Sequence, residues 1–300
     1  MRTLLRIVPA AVLPLLCAAA DPEAFRISTN LVLVNVSVLD SHDRPVTSLT
    51  RDQFHVAADG REQPIRYFVH EDAPISLGII LDTSGSMKPH WKQARTMLAR
   101  FCENLEPADE FFLVTIDRTP HLAADYAHDC SEMLNSLLPT QPKGLTALLD
   151  ALPLAAGHLK QARNPRRAML LISDGGENAS RARYAEIRNM AREAGAQIYT
   201  ATLNLDFQFE HVGYYEGLRG PALMQDLAGL TGGRSYSIDD GRHIGTTAAA
   251  IAREMHDEYV LGFQSPDTTA DGKFHRVSVT VHRDPTTPKL SLFYRPGYRN

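Results

Sequence analysis

The chain has 300 residues, of which 44% are hydrophobic and 22% charged, a balance that suits one large or two modest globular domains. Its formal net charge of −4 argues against a nucleic-acid partner, whose binding needs a basic face.

Arg2 and Arg6 give residues 1–20 a positive start, residues 7–16 an apolar core, and Ala18-Ala19-Ala20 a small-x-small cleavage site before Asp21. This is the pattern of a secretory signal. Its apolar core is too short to span a bilayer. Cys17 invites a lipid anchor, but Pro14-Leu15-Leu16 lacks the small residue that lipid attachment wants just before the cysteine. Cleavage after Ala20 is therefore expected. The product would be exported, periplasmic or secreted, with no transmembrane segment in the mature chain. Two cysteines then remain, Cys102 and Cys130. They either pair, as exported thiols can, or stay as two half-buried thiols.

Residues 21–73 form a β-rich flank by pattern. Leu31–Leu39 is rich in β-branched residues with partial alternation, and short apolar runs follow at 54–56 and 65–69. Asp59-Gly60 between them is a hairpin signal. Residues 74–256 alternate buried strands with helices. Strands end near Leu81, Ile116, Ile172 and Leu203, with a short one at 235–238. Helical patterns cover 89–105, 131–138, 146–161, 181–194, 222–230 and 245–255. This alternation predicts an α/β fold with a doubly wound, mostly parallel sheet of Rossmann-like type. Residues 257–300 turn β again. Neither flank has the apolar surface to stand alone, so the two are expected to pair in a small β-sandwich-like domain with 74–256 inserted between its halves.

The most informative stretch is Asp82-Thr83-Ser84-Gly85-Ser86, which follows the apolar run 77–81. It leaves the carboxyl end of a central strand, where open α/β sheets bind ligands. Oxygen donors at i, i+2 and i+4 on a tight turn suit Mg²⁺, with Mn²⁺ or Ca²⁺ as less favoured ions. The same residues could instead cap the following helix. Two later segments carry matching chemistry. Lys143-Gly144-Leu145-Thr146 puts a hydroxyl at the head of a helical pattern, and Ser173-Asp174-Gly175-Gly176 ends another buried strand in an acid and a glycine turn.

Asp-x-Ser-x-Ser, a distant Thr and an Asp after a later strand occur together and in order. In this the chain resembles the von Willebrand factor type A family and its metal-ion-dependent adhesion site. The resemblance spans roughly 74–254. It implies that the hydroxyls of Ser84, Ser86 and Thr146 touch a divalent ion, while Asp82 and Asp174 hold its waters. Neutral hydroxyls leave most of the 2+ charge unneutralised, and Mg²⁺ readily keeps an open position. Such a site would capture an Asp or Glu carboxylate from a protein partner. Leu49-Thr50-Arg51-Asp52-Gln53-Phe54 and the closing Arg295-Pro296-Gly297-Tyr298 also resemble a bacterial type A-related group common in Acidobacteria-like genomes.

The partner would be chosen by the rim. Residues 206–219 leave the carboxyl end of a strand and carry four aromatics. Tyr214, Tyr215 and Arg219 are of types enriched at interface anchors. The alternative is that Phe207 and Phe209 pack back on the sheet. Other motifs are weaker. No His-x-x-x-His pair, Gly-x-Ser-x-Gly elbow or phosphate-binding Gly-rich loop occurs. His121, His128 and His211 read as solvated loop residues, and the Arg163 to Arg167 cluster as a solvated turn. Three functional classes follow: an exported adhesion or scaffold module, a metal-dependent hydrolase of phosphates or esters, and a structural component with an inert site. The first is the expectation, with no catalytic residue.

Overall fold

The computed structural model describes residues 31–70, 73–203, 220–266, 272–282 and 289–299. The expected signal at 1–20 and the rim residues Tyr214, Tyr215 and Arg219 lie outside the described residues.

The architecture turns on β5 (Ile75–Asp82), every residue of which is buried. It pairs in parallel with β6 (Glu110–Ile116) on one side and β8 (Arg166–Ser173) on the other. β9 (Gln197–Leu203) and β10 (Ser235–Ile238) extend the sheet in parallel beyond β8. The pleat sends Leu77, Ile79 and Leu81 to one face and Ile80 to the other. On the first face they meet α1 (Trp91–Cys102), α2 (Cys130–Ser136) and α6 (Ile244–His256). On the second they meet α3 (Leu148–Leu159), α4 (Tyr184–Glu193) and α5 (Gly220–Thr231). Helices on both faces explain why β5 and β6 read as unbroken apolar runs. The α/β class expected from the alternation is the class observed.

One strand escaped the sequence pattern. β7 (Pro120–Ala127) pairs antiparallel with β6 and closes one edge of the sheet. It has no buried residue, lacks β-branched residues, and slips register twice along its partner. Those features erase the period-2 signal.

The cysteines are joined. Cys102 at the end of α1 and Cys130 at the start of α2 form a disulfide with Cα atoms 6.1 Å apart. The sequence left the pairing open because the antiparallel turn-back through β6 and β7, which brings these helix ends together, was not visible.

The remaining strands form two antiparallel sheets that mix both ends of the chain. One has the order β13 (Ser291–Tyr294), β1 (Leu31–Leu39), β11 (Glu258–Gln264), β4 (Ile65–His70). The other runs β14 (Gly297–Arg299), β12 (Phe274–Val281), β2 (Phe54–Ala58), β3 (Arg61–Gln63). Val34, Val36, Val56, Tyr259, Phe263 and Val279 fill the space between them. Asp59 and Gly60, at φ +48° and +78°, make the two-residue turn joining β2 to β3.

The two units meet at a buried carboxylate. Glu258, the first residue of β11, is 1% exposed. It accepts from Asn35 Nδ2 (3.0 Å) and Ser37 Oγ (3.2 Å) on one side. From the other side it accepts from Gln197 Nε2 (2.6 Å), Tyr199 OH (3.1 Å) and Arg166 Nη2 (3.3 Å). Arg166 also donates to the carbonyls of His256 (3.0 Å), Met255 and Ala73 (3.4 Å), on the two segments that cross between the units. This corrects the reading of residues 163–167 as a solvated turn. Arg166 and Arg167 open β8, and Arg166 is buried because its charge is met by Glu258 and by helix-end carbonyls.

Removing one partner of such a pair leaves a buried charge. Arg166→Met should destabilise the protein by about 3–5 kcal/mol, read as a lower urea midpoint; a change below about 1 kcal/mol would mean the pair carries no such role. Replacing Cys102 and Cys130 by Ser should cost about 3 kcal/mol for a loop of this length, while thiol titration of the unfolded, unreduced protein should find neither of them free.

Candidate metal centre

The apolar run of β5 can continue only while both faces are covered, and Asp82 is where the strand leaves the sheet. The loop that follows is pinned by its own backbone. Thr83 donates from N and from Oγ1 to the Ile116 carbonyl, each at 2.7 Å, which ties it to the end of β6. Gly85 N donates to the Gly144 carbonyl (3.0 Å), and Lys143 N to that of Thr83 (2.9 Å). A methyl at Gly85 would sit 3.1 Å from Gly144 O, so this approach needs the glycine. The Asp82 loop and the Thr146 segment, distant in sequence, are thereby held side by side.

Thr146 is fixed on its far side by Asn178. Thr146 N donates to Asn178 Oδ1 (2.8 Å), and its carbonyl accepts from the backbone N–H of Asn178 and of Ala179 (both 3.0 Å). Glu177, also buried, accepts from Leu149 N (2.9 Å) in the first turn of α3 and from Ser180 Oγ (2.7 Å). The sequence reading missed Glu177 and Asn178. Their signal was the polar run directly after the glycine turn that ends β8.

The five expected residues come together. Ser84 Oγ and Ser86 Oγ are 3.1 Å apart. A methyl placed on Gly176 would lie 3.1 Å from Asp174 Oδ1, 3.4 Å from Thr146 Oγ1 and 3.8 Å from Ser86 Oγ. Oxygens from all three loops therefore surround one point. Asp82 stands behind them, its Oδ1 accepting from Ser84 N (2.9 Å) and its Oδ2 from Ser173 Oγ (2.5 Å). Asp174 Oδ1 accepts from Gly176 N (2.9 Å). Across the same turn Gly175, at φ +85°, faces Gly220 at the start of α5 so closely that a methyl on it would meet Gly220 C at 2.7 Å.

The electrostatics are unbalanced. Asp82 is fully buried, and burial together with the charge of Asp174 pushes its pKa up to about 7. The hydrogen bonds from Ser173 and Ser84 oppose this only in part. Neither acid makes an ion pair with a Lys, Arg or His among the described residues. One acid and two hydroxyls at one point, with the Ser84 hydroxyl beside them and Asp82 behind, form a hard-oxygen donor set with no Lys, Arg or His paired to its acids among the described residues, which fits a divalent cation. Among the described residues no three His, Cys, Asp or Glu side chains gather as a metal-binding cluster, so any such ion would rest mainly on hydroxyls. His, by contrast, is spent elsewhere: His256 Nε2 lies 3.1 Å from Asp109 Oδ2, and His128 Nδ1 2.6 Å from the Asp109 carbonyl, both at the opposite end of β6.

A helix-flanked, mostly parallel sheet with acid and hydroxyl loops at its carboxyl edge is the layout of an open α/β domain. Residues 77–177 match the family model described as von Willebrand factor type A domain. Among solved structures, the von Willebrand factor type A protein from Catenulispora acidiphila is similar over 88% of this chain and 73% of its own, at 12% identity and a TM-score of 0.50; the likeness is one of fold. The conserved hypothetical protein BatB from Bacteroides thetaiotaomicron aligns with 60% of this chain and 98% of its own, at 19% identity and a TM-score of 0.48. The vWF domain of the type V pili tip protein Mfa5 from Porphyromonas gingivalis covers 62% and 95%, at 13% identity and a TM-score of 0.45. No curated protein sequence matches the chain.

The donor set can be tested directly. Titration of Mg²⁺ or Mn²⁺ into metal-stripped protein should give saturable heat and a raised melting temperature. Thr146→Ala and Ser86→Ala should each weaken binding by roughly tenfold or more while leaving the far-UV spectrum unchanged. Full-strength binding by both variants would place the ion elsewhere.

Proposed function

We propose that the chain is an exported, metal-dependent protein-binding module, an adhesion or scaffold component whose partner offers an Asp or Glu carboxylate. The observation that carries this reading is the convergence of Ser86, Thr146 and Asp174 oxygens, from three separate loops, on the point beside Gly176. Mg²⁺ is the favoured ion, with Mn²⁺ or Ca²⁺ as substitutes. Ser84, Ser86 and Thr146 would hold it by their hydroxyls, with Asp82 and Asp174 acting through water. A divalent cation in that setting supplies an open coordination position with most of its charge intact, which an incoming carboxylate completes.

The residues of the chain itself do the positioning. Thr83 and Gly85 lock the first loop against β6 and Gly144, and Asn178 sets the Thr146 backbone. Ser173 and Ser84 N hold the Asp82 carboxylate in one orientation. Tyr214, Tyr215 and Arg219 belong to the segment between β9 and α5, next in sequence to a helix that starts against the Gly175 turn. They are proposed to contact the partner. Residues 74–256 are proposed to be an insertion between the flanks 21–73 and 257–300, whose strands pair across it. The reading assigns binding and no catalysis.

Envelope extract passed over immobilised protein in Mg²⁺ should yield a partner that EDTA releases and that Thr146→Ala does not retain. Joint replacement of Tyr214, Tyr215 and Arg219 by Ala should weaken retention by roughly tenfold or more with metal binding intact. Retention indifferent to EDTA and to Thr146→Ala would overturn the proposal. So would metal-dependent turnover of a generic phosphoester lost in the same variant, which would favour a hydrolase.

A further inference from the structure

A cleft of about 520 Å³ lies between the outer face of the β13-β1-β11-β4 sheet and the adjoining edge of the α/β unit. Alternate residues of β1 turn away from the sandwich core into it. Leu31 and Leu33 are 43% and 44% exposed, while Val32 and Val34 are buried. Tyr67 of β4, 44% exposed, stands beside them. A methyl on Gly262 would lie 2.7 Å from Tyr67 Cβ and 3.1 Å from Leu33 Cδ2, so these side chains close over a glycine floor. Ala196 and Leu230 line the opposite wall. Three large apolar side chains are thus left partly exposed side by side along one wall of the cleft.

The charge in the cleft has one sign. Arg166, Arg167, Arg192 and Arg295 line it, and no acidic residue among the described residues does. Arg166 is matched by Glu258. The other three have no carboxylate within ion-pair distance among the described residues. Arg295 Nη2 donates to the Leu33 carbonyl (2.5 Å), and the Arg192 guanidinium lies 4.6 Å over the Phe274 ring. The Nε atoms of Arg167, Arg192 and Arg295 are buried with no hydrogen-bond partner. Burial and the nearby charges of Arg188 and Arg299 lower the pKa of Arg192, as expected for a cation crowded by its own kind. All this occurs in a chain whose net charge is −4.

We propose that this cleft binds a single-chain amphiphile with a phosphate head, the alkyl tail over Leu31, Leu33 and Tyr67 and the phosphate among Arg167, Arg192 and Arg295. A phosphate monoester brings close to two negative charges and three acceptor oxygens, which suits several guanidiniums at once. A carboxylate brings one charge and would leave two of the three unmatched. The volume falls within the ordinary range for small-molecule sites. The proposal is independent of the metal centre.

Calorimetric titration of the protein with dodecyl phosphate, below its micellisation concentration, tests it. Dodecanoate, dodecanol and inorganic phosphate serve as comparators. One dodecyl phosphate should bind per chain, roughly tenfold or more tighter than dodecanol or dodecanoate, and inorganic phosphate should not saturate over the same range. The double variant Arg167→Gln/Arg192→Gln should lower dodecyl phosphate to the affinity of dodecanol. Leu33→Ser, at a position 44% exposed, should weaken every ligand with an alkyl chain, and keeps the test open should the double variant fail to fold. No saturable heat with dodecyl phosphate, equal affinity for dodecanol, unchanged binding by the variants, or association only with anionic phospholipid vesicles would each overturn the proposal.

Discussion

A strand covered on both faces has nowhere to put an uncompensated charge except its ends, and the two ends of β5 are treated oppositely. At the entry, the acids and the serine are answered. Ser76 Oγ donates to Glu110 Oε1 (2.5 Å), and Asp109 accepts from Ile75 N (2.9 Å) and Glu106 N (2.8 Å) besides facing His256. At the exit, Asp82 and Asp174 have no Lys, Arg or His within ion-pair distance among the described residues and are braced by neutral donors. Burial of like charges is costly. The loops around Asp82 are tied down by backbone hydrogen bonds to Ile116, Gly144 and Thr146, and these hold the acids in place against their repulsion.

That asymmetry explains what could be seen in the residues alone. Apolar runs at 77–81 and 111–116 are unambiguous, because a doubly covered strand has no polar face to blur the pattern. The break to small oxygen-bearing residues after Leu81 locates the exit, and hence the candidate site, by the same logic. The approach of Thr146 to Ser86 was legible only through a family resemblance, since nothing local to either loop encodes the distance between them. Asn178 and Glu177, which set that distance, were not singled out. β7 was hidden because an exposed edge strand needs little apolar patterning, and with it went the means to judge Cys102 against Cys130. Arg166 was misjudged for a related reason. A basic cluster looks solvated until its buried acceptors are known, and Glu258 lies 92 residues away in sequence.

The junction between the two units makes sense of that distance. Glu258 draws donors from β1 and from the parallel sheet at once, so the same carboxylate orients both. The neighbouring face of β1 is then left with apolar side chains beside arginines. A junction built on one central ion pair keeps its perimeter free, which is where the second cleft lies. The candidate metal site, at the carboxyl edge of the parallel sheet, sits at the other end of β8 from Arg166.

The interleaved flank strands also set an order of events along the chain. Leu31 meets Gln264 and Val36 meets Tyr294, so the first strand described finds its neighbours only after the intervening α/β unit is made. Closing so long a loop is entropically unrewarded until the intervening segment has condensed. The parallel sheet, whose strands pair over much shorter separations, is thus the natural scaffold on which the two ends later zip. Until that happens, Val32, Val34 and Val36 wait as an unpaired, aggregation-prone ribbon. Truncations that remove the last forty residues would therefore act at a distance, by stranding the beginning of the chain.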